Sequence, residues 1–307
     1  MVKVFIDGSA GTTGLRIAER LARRRDIDLI RLPETRRKLP EARKEALAEA
    51  DMAFLCLPDE AAAEAAEWAE TADTLLIDTS TAHRTAEGWI YGFPELAGIR
   101  GKLYGAKRVS NPGCHASGFI ALIAPLTAAG VLPEDADLTA VSVTGYSGGG
   151  KKMIAQYEAD VPGPLLKAPR RYALSQTHKH LPEMQLYTGL VKPPVFLPIV
   201  SDFYAGMEVS VPLHRDMLRC GLQELKAVYR EIYHGNVVRF TEEADEDGFM
   251  SSCAYAGTDG MEISVQGNEE RLVLTARFDN LGKGASGAAI QNMNLMLGFP
   301  ETEGLIL

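Results

Sequence analysis

The sequence predicts an α/β protein, in which a doubly wound parallel sheet is followed by an α+β domain with a mixed sheet. Up to about residue 80, short β-branched runs alternate with Ala/Glu/Arg-rich stretches of helical period, a pattern typical of βαβ units. After about residue 137, strands follow one another with fewer helices between them, which favours a mixed or antiparallel sheet. The chain has 307 residues and is 46% hydrophobic, so it can bury one full core or two smaller ones.

The elements of the two halves are predicted from these runs. Strands of the first half are expected at 2–7, 27–32, 52–57 and 74–78, with helices at 14–25, 41–50 and 59–70. Strands of the second half are expected at 138–144, 195–200, 208–213, 261–266 and 272–278. An Ala-rich helix over 285–297 closes the chain. We therefore expect a nucleotide-binding domain over 1–113, completed by 284–307, and a catalytic, substrate-binding and oligomerisation domain over 114–283.

Charge and cysteine content exclude several classes of protein. Forty-one acidic against thirty-two basic residues give a net charge of -9, which argues against a general nucleic-acid or membrane-surface binder. No apolar run approaches the roughly eighteen residues of a membrane span, and the first residues lead into a strand rather than a signal peptide. The four cysteines contain no C-x-x-C pair, so a zinc ribbon is excluded and reduced thiols are indicated. A cytoplasmic protein is expected.

A glycine-rich loop directly follows the first predicted strand and opens a helix. It consists of Gly8, Ser9, Ala10, Gly11, Thr12, Thr13 and Gly14. In this order of strand, loop and helix, glycines let the backbone approach a pyrophosphate, whose charge lies on free N–H groups at the helix N-terminus. The alternative is a tight turn without a ligand. The context favours a dinucleotide.

The residues after the second strand bear on the choice between NAD and NADP. An acid at the end of this strand holds the ribose diol of NAD, whereas the 2′-phosphate of NADP needs a cation. Arg31 lies near the end of this predicted strand, and Arg36, Arg37 and Lys38 follow closely. This basic cluster favours NADP, although Glu34 lies within it and a solvated run of charges would look the same.

A cysteine is predicted in the first turn of a later helix. Pro112 and Gly113 force a tight turn before Cys114, and an apolar helical run extends from Phe119 towards Gly130. Unpaired N–H groups and the positive end of the helix dipole lower the pKa of a thiol there and can also bind an oxyanion. Cys114 is therefore the predicted nucleophile, against the alternative of a buried structural cysteine, which is how we interpret Cys56.

Two histidines supply a candidate base for this thiol. His178 and His180 would face the same side of an extended segment, so one could reach the thiol while the other, or Glu183, orients it. A zinc site made by these three residues is one alternative, but no further His/Cys pair lies near in sequence. Solvated structural histidines are another.

A second glycine-rich segment, residues 145–152, imitates a phosphate-binding loop of the Walker A type. It lacks the Ser or Thr after the lysine that would hold magnesium. We interpret it as a substrate loop, whose amides, Ser147 and Lys151 could hold an anion.

Together these motifs describe a thiol dehydrogenase of acyl phosphates or aldehydes. The chain resembles, nearly end to end, the short form of the N-acetyl-gamma-glutamyl-phosphate reductase family, which is related to aspartate-semialdehyde dehydrogenase. The resemblance rests on the glycine loop and on five further segments, 78–84, 111–114, 145–150, 178–183 and 279–294. Of these, Asn-Pro-Gly-Cys at 111–114 and the closing segment are the most distinctive. His115 departs from the aromatic residue that many members carry after the cysteine.

The resemblance implies a fold, a reaction and residue roles. It implies a Rossmann-type domain, NADP as cofactor, and reduction of a small-molecule acyl phosphate through a cysteine thioester in arginine biosynthesis. It also implies a homotetramer or homodimer formed through the second domain's sheet. Cys114 would be the nucleophile and His178 the acid/base. The other residues carried over to substrate are Asn111, Ser147, Lys151, His180, Glu183 and Arg84, and those carried over to the cofactor, besides the loop and Arg31 and Arg36, are Ser80, Asn280, Gly284 and Gln291.

Two rival functions remain open from the sequence. One is a sister reductase that acts on aspartyl phosphate or on an acyl phosphate carried by a protein. The other is a nucleotide-sensing protein that kept the fold without the chemistry, since fold alone does not establish function.

Overall fold

The computed structural model describes all residues from 1 to 307, and these form thirteen strands and nine α-helices. The strands are β1 Val2–Asp7, β2 Ile27–Ile30, β3 Met52–Leu55, β4 Leu75–Asp78, β5 Ile90–Tyr91, β6 Arg108–Ser110, β7 Thr139–Gly145, β8 Arg170–Arg171, β9 Val195–Ser201, β10 Met207–His214, β11 Val238–Phe240, β12 Met261–Gly267 and β13 Arg271–Phe278. The helices are α1 Thr12–Leu21, α2 Pro40–Glu49, α3 Asp59–Trp68, α4 Ile99–Leu103, α5 Cys114–Ala128, α6 Gly150–Tyr157, α7 Leu181–Thr188, α8 Leu222–Ile232 and α9 Gly287–Leu297. None of them is long and apolar enough to span a membrane.

The chain divides into two compact units. The first comprises residues 1–112 and 285–305, and the second comprises residues 113–284 and 306–307. The first unit therefore includes α9, whose Ala289, Ile290 and Met293 pack in one core with Val4 and Ile6 of β1. α9 is buried along almost its whole length, and its buried amides Gln291, Asn292 and Asn294 are hydrogen-bonded within the unit.

The first unit is built on a six-stranded parallel sheet in the order β2-β1-β3-β4-β6-β5. The chain runs outward in one direction from β1 to β2 and in the other from β1 through β3 and β4, so the sheet is doubly wound. In such a sheet, ligands bind at the carboxyl ends of the strands near the point where the order reverses. The glycine loop leaves β1 at this point.

The second unit is built on a seven-stranded mixed sheet in the order β11-β12-β13-β10-β7-β9-β8. β7 and β9 are parallel, as are β11 and β12, and the other neighbours are antiparallel. Both sheets confirm the predicted fold class.

Helix α5 is buried along nearly its whole length in the second unit, and beyond its first turn it is apolar on nearly all sides. It contains Pro125, which has no N–H and so leaves the carbonyl of Ala121 without its partner in the helix. The Tyr233 hydroxyl donates to that carbonyl at 2.7 Å. α5 begins at Cys114, five residues before the apolar run from which it was predicted.

Several predicted boundaries differ from the observed ones for local reasons. β2 ends at Ile30 rather than residue 32, because its pairing with β1 stops at Phe5 and Ile30. α1 covers residues 12–21 instead of 14–25, so the last residues of the glycine loop already belong to the helix. The closing helix begins at Gly287, and residues 282–286 form a wider π-helical turn before it.

Candidate active site

The glycine loop adopts a conformation that requires glycine at two positions. Gly8 has φ +86°, and a Cβ on it would lie 2.2 Å from the carbonyl oxygen of Cys56. A Cβ on Gly14 would lie 2.6 Å from the carbonyl oxygen of Gly8. The Gly11 N–H donates to that same oxygen at 2.9 Å and closes the turn. The loop is therefore held tightly against the end of β1, as close backbone approach to a pyrophosphate requires.

A cavity of about 600 Å³ opens beside this loop in the first unit. Its lining includes Gly8, Ser9, Ala10 and Gly11, whereas Thr12, Thr13 and Gly14 lie in the first turn of α1 outside the lining. The segment after β2 contributes Arg31, Arg37 and Lys38.

Only some of the charged residues after β2 line this cavity. Arg36 pairs with Glu45 at 2.9 Å on the surface and does not line the cavity. Glu34 pairs with Arg37 at 2.7 Å and does not line it either. The side of the cavity at the end of β2 therefore presents cations rather than the carboxylate that would bind a ribose diol.

A buried ion pair lies between β1 and α2 at the base of the cavity. Arg43 Nε donates to both carboxylate oxygens of Asp7, at 3.1 and 2.9 Å. Burial raises the pKa of Asp7, against the opposing effect of Arg43. The guanidinium also lies over the Trp68 ring, 4.8 Å from its centre. Since Asp7 is the only acidic residue of the lining and is paired, the remaining charge of the cavity is positive.

We predict that Gly8→Ala destabilises the fold more than a glycine-to-alanine substitution that causes backbone strain without a steric clash. Gly88 has φ +81° and no atom within 4 Å of a Cβ, so Gly88→Ala incurs the positive-φ penalty without a clash. Gly8→Ala adds the collision with Cys56, and its free energy of unfolding should fall by at least about 2 kcal/mol more. Urea denaturation of both variants measures the difference. Equal losses would mean that the loop yields to a side chain.

The loop after β4 is organised by Asp78, which is fully buried. Its carboxylate accepts from the Ser80 N–H at 2.8 Å and the Ser80 hydroxyl at 2.7 Å, and it lies 2.6 Å from Nδ1 of His83. The His83 ring stacks on Trp89 at 4.0 Å. Arg84 is buried, and it donates to the main-chain carbonyls of residues 111 and 79. This loop therefore meets the end of β6.

Asn111 follows β6 and is held from two sides within the first unit. Its Nδ2 donates to the carbonyl of Ala285 at 3.1 Å, and its Oδ1 accepts from Asn292 at 3.2 Å. Gln291, the neighbour of Asn292, instead donates to the carboxylates of Glu95 and Glu301.

Cys114 is the first residue of α5, which has fifteen residues and begins after Gly113. The Gly113 N–H donates to the Glu183 carboxylate at 3.1 Å, so α7 is tied to the start of α5. A helix of this length concentrates a positive dipole at its N-terminus, where it stabilises a thiolate.

The other three cysteines lie in settings that oppose ionisation. Burial raises the pKa of Cys56 to about 12, and partial burial is also the main cause of the raised pKa values of Cys220 and Cys253. Cys114, by contrast, is the one cysteine that begins a helix.

The structure brings His178 and His180 to the start of α5. An extended segment was predicted for these two residues. They lie instead in a turn, in which the Leu181 N–H donates to the His178 carbonyl at 3.0 Å. Their rings meet edge to face at 4.7 Å, and each lies 5.6 Å from the ring of His115, the residue after Cys114. The His180 N–H donates to His178 Nδ1 at 3.2 Å, so this ring nitrogen accepts a main-chain hydrogen bond.

The closing turn of the second unit supports the glycine-rich segment. Asn280 Nδ2 donates to the Ser147 hydroxyl at 3.0 Å, and its Oδ1 accepts from the Gly206 N–H at 3.0 Å. A Cβ on Gly284 would lie 2.9 Å from the Cβ of Cys114, so the turn passes directly against the cysteine. Lys151 is exposed on α6. No group of three His, Cys, Asp or Glu residues is placed to hold a metal ion.

Comparisons with known proteins place the chain in a family. Residues 3–102 match the family described as "Semialdehyde dehydrogenase, NAD binding domain", and residues 114–280 match "Semialdehyde dehydrogenase, dimerisation domain". N-acetyl-gamma-glutamyl-phosphate reductase 2 of a Nostoc species is 44% identical over 99% of both chains. The N-acetyl-gamma-glutamyl-phosphate reductase of Brucella ovis is 46% identical over 96% of this chain and 99% of its own.

The chain belongs to the N-acetyl-gamma-glutamyl-phosphate reductase family. The assignment made from its sequence is thereby confirmed. Its first unit contains a nicotinamide-dinucleotide binding domain. Its second unit contains the domain that matches the semialdehyde dehydrogenase dimerisation domain.

Solved structures of more distant relatives share the fold of this family. Aspartate semialdehyde dehydrogenase II from Vibrio cholerae, described as complexed with ASA, has a TM-score of 0.74 at 16% identity, over 96% of this chain and 98% of its own. Aspartate semialdehyde dehydrogenase with NADP from Candida albicans has a TM-score of 0.66 at 15% identity, over the same shares.

Several residues of this family member's site were not found from the sequence. Ser142 on β7 and Tyr172 after β8 both contact the His115 ring, and no local motif marks either residue. Asp7 and Arg43 pair across 36 residues. His83 lies inside the recognised segment 78–84, where its position five residues after Asp78 was the one available signal.

Proposed function

We propose that this protein reduces N-acetyl-gamma-glutamyl phosphate to N-acetylglutamate 5-semialdehyde and phosphate, with NADPH as reductant, in arginine biosynthesis. The observation that carries the proposal is the position of Cys114, which begins α5 beside three histidine rings. The names of relatives that match over nearly the full chain supply the substrate.

The first step forms a thioester on Cys114. The thiolate attacks the acyl carbon, a C–S bond forms, and the C–O bond to phosphate breaks as inorganic phosphate leaves. N–H groups at the start of α5 stabilise the tetrahedral oxyanion, an effect worth about 3–4 kcal/mol per donor in comparable sites. The Gly113–Glu183 hydrogen bond holds α7 against this end of the helix.

The second step releases the aldehyde. When bound, NADPH supplies a hydride to the thioester carbonyl. His178 holds or moves a proton at Nε2, next to the carbonyl-derived oxygen, while the C–S bond breaks and the Cys114 thiolate is restored. The His180 N–H fixes the orientation of the His178 ring by occupying Nδ1.

The cavity of the first unit fits a dinucleotide, and its charge supports NADP. The glycines leave no room for side chains, and Arg31 and Lys38 line the side of the cavity at the end of β2, where the 2′-phosphate would lie. Ser80, Asn280, Gly284 and Gln291 stay proposed cofactor-binding residues, and Arg36 is the weakest of the set because it pairs with Glu45 on the surface.

We predict that the double variant Arg31→Ser/Lys38→Ser raises the KM for NADPH by at least about tenfold and leaves the KM for NADH nearly unchanged. A hydrogen bond to a charged group contributes about 1.5–3 kcal/mol. Only NADPH has a 2′-phosphate to form such bonds, so NADH binding should not weaken. Initial rates with both cofactors measure the effect. Arg23→Ser is the control, because Arg23 is exposed and does not line the cavity. Equal changes with both cofactors would contradict a 2′-phosphate site here.

Six residues are proposed to hold the substrate. In the first unit, Asn111 directly follows β6, and Arg84, in the loop after β4, supplies a buried guanidinium suited to phosphate. The second unit contributes Ser147, Lys151, His180 and Glu183.

We further propose a cytoplasmic homodimer or homotetramer. One face of the second sheet carries partly exposed apolar side chains on β7 and β9, among them Val143, Leu197 and Ile199. A second copy of the chain would cover this face. Sedimentation equilibrium measures the assembly, and a monomer at micromolar concentration would contradict it.

The proposed function is tested by the reverse reaction. Purified protein with N-acetylglutamate semialdehyde, phosphate and NADP⁺ should form NADPH, and omission of phosphate should stop it. Aspartate semialdehyde serves as the competing substrate, because the chain shares its fold with aspartate semialdehyde dehydrogenases. A higher kcat/KM with aspartate semialdehyde would favour the sister reaction, and no NADPH with either substrate would contradict a reductase.

A further inference from the structure

A hydrogen-bond chain of three side chains lies beside Cys114. The His115 ring, which is 3% exposed, is 2.7 Å from the Ser142 hydroxyl through Nδ1 and 2.6 Å from the Tyr172 hydroxyl through Nε2. Burial, and then the nearby charge of His178, lower the pKa of His115 to about 3. His115 is therefore neutral at physiological pH and carries one ring proton.

The position of that proton follows from Ser142. This residue is fully buried on β7, and the His115 ring is the one hydrogen-bond partner of its hydroxyl. If Nδ1 carried the proton, the serine would accept it and leave its own O–H buried without an acceptor, which costs about 1–3 kcal/mol. Ser142 therefore donates to Nδ1, and the His115 proton lies on Nε2.

The direction of the chain then leaves the Tyr172 proton available. The Tyr172 side chain is only partly buried, unlike that of Ser142, so its O–H is not sealed inside the protein. Its oxygen accepts from His115 Nε2, and the structure offers its own O–H no acceptor within the protein. The Tyr172 ring also lies 5.9 Å from the ring of His178. Burial, and then the charge of the Cys114 thiolate, raise the pKa of Tyr172, so the phenol stays protonated.

We infer that Tyr172 donates a hydrogen bond to the carbonyl oxygen of the acyl group that Cys114 carries, and that Ser142 and His115 fix the direction of that bond. Tyr172 contacts the substrate in this account, and the other two are positioning residues. No proton is transferred, so the bond adds a donor to those at the start of α5. The inference rests on the proposed role of Cys114. His178, His180 and Glu183 are the titratable groups that also face this place.

Nitrogen NMR of histidine-labelled protein tests the direction of the chain. The ¹⁵N signals of His115, assigned by their loss in His115→Gln, should show a protonated Nε2 and an unprotonated Nδ1 from pH 6 to 8. In Ser142→Ala the preference should weaken, because Nδ1 loses its donor. A protonated Nδ1 in the wild-type protein would overturn the inference, whatever the protein catalyses.

Single-turnover kinetics test the contact with substrate. Tyr172→Phe keeps the ring and should slow phosphate release from the acyl phosphate by about 100-fold, as expected for loss of one oxyanion donor. The rate at which iodoacetamide alkylates Cys114 reports the amount of thiolate. At each pH this rate in Tyr172→Phe should differ from the wild-type rate by less than threefold. Ser142→Ala should slow phosphate release by about tenfold. Ser264→Ala, which also removes a fully buried hydroxyl of this sheet, is the control and should leave the rate unchanged.

The outcomes separate this inference from the proposed function. Phosphate release at the wild-type rate by Tyr172→Phe would overturn the substrate contact, and equal rates for Ser142→Ala and Ser264→Ala would overturn the positioning role. A parallel loss of alkylation and phosphate release in Tyr172→Phe would mean that the phenol acts on the thiol instead. If the wild-type protein released no phosphate but alkylated readily, the proposed reaction and the substrate contact would both fail, and the NMR result would still decide the direction of the chain.

Discussion

Cys114→Ala should abolish reduction of the acyl phosphate and leave NADPH binding intact. The sulfur is the atom that becomes acylated, and no other side chain at the start of α5 can replace it as a nucleophile. We expect the turnover number to fall by at least about 10⁴-fold, as for the loss of other covalent nucleophiles. The dissociation constant for NADPH, measured by fluorescence titration, should change less than twofold, because the cavity of the first unit contains no atom of Cys114.

Cys220→Ala is the matched control for this experiment. Cys220 is a partly buried thiol whose pKa is raised, and it lies just before α8 rather than within a helix. Its variant should retain wild-type turnover. Appreciable oxidation of the semialdehyde by Cys114→Ala would show that the reaction does not pass through a thioester on this residue.

His178→Asn should lower the turnover number by about 10²- to 10⁴-fold, the usual contribution of a general acid or base. Asparagine retains a polar side chain but cannot carry a proton between steps. Steady-state rates across pH measure the loss, and the variant should also lose the limb of the pH profile that belongs to this histidine.

His214→Asn is the control, because His214 is exposed at the end of β10. It should leave both the rate and the pH profile unchanged. A loss below about tenfold in His178→Asn would mean that another group moves the proton, and His180→Asn would then be the next variant to measure.

The parts of the site that the sequence revealed are those built by consecutive residues. The glycine loop is recognisable because the strand, turn and helix that define it are adjacent, and Gly8 has the positive φ that its residue type allows. The turn before Cys114 is local in the same sense, since Pro112 and Gly113 determine it. The fold class follows from periodicity, which extends over whole elements.

The parts that the sequence did not reveal depend on side chains from distant elements. His115 was noted only as a departure from a family pattern, yet its ring is within hydrogen-bond distance of Ser142 and Tyr172, which lie 27 and 57 residues away. Arg43 pairs with Asp7 only because α2 packs on β1. Such contacts depend on tertiary packing, for which a single sequence carries no spacing rule.

The proximity of His178 and His180 was predicted correctly, but the local backbone that produces it differs from the prediction. An extended segment was expected to put His178 and His180 on one side, but the two rings meet because a turn precedes α7 and Pro182 occupies its first turn. The turn additionally occupies Nδ1 of His178, a detail with chemical meaning that spacing alone could not supply.

The covalent intermediate is tested most directly by intact-protein mass spectrometry after the acyl phosphate is mixed with enzyme in the absence of cofactor. The account predicts one added acyl group per chain, mapped to Cys114 by proteolysis, together with one equivalent of released phosphate and no adduct in Cys114→Ala. An adduct on a different residue, or full turnover without any adduct under quenched conditions with NADPH present, would contradict it.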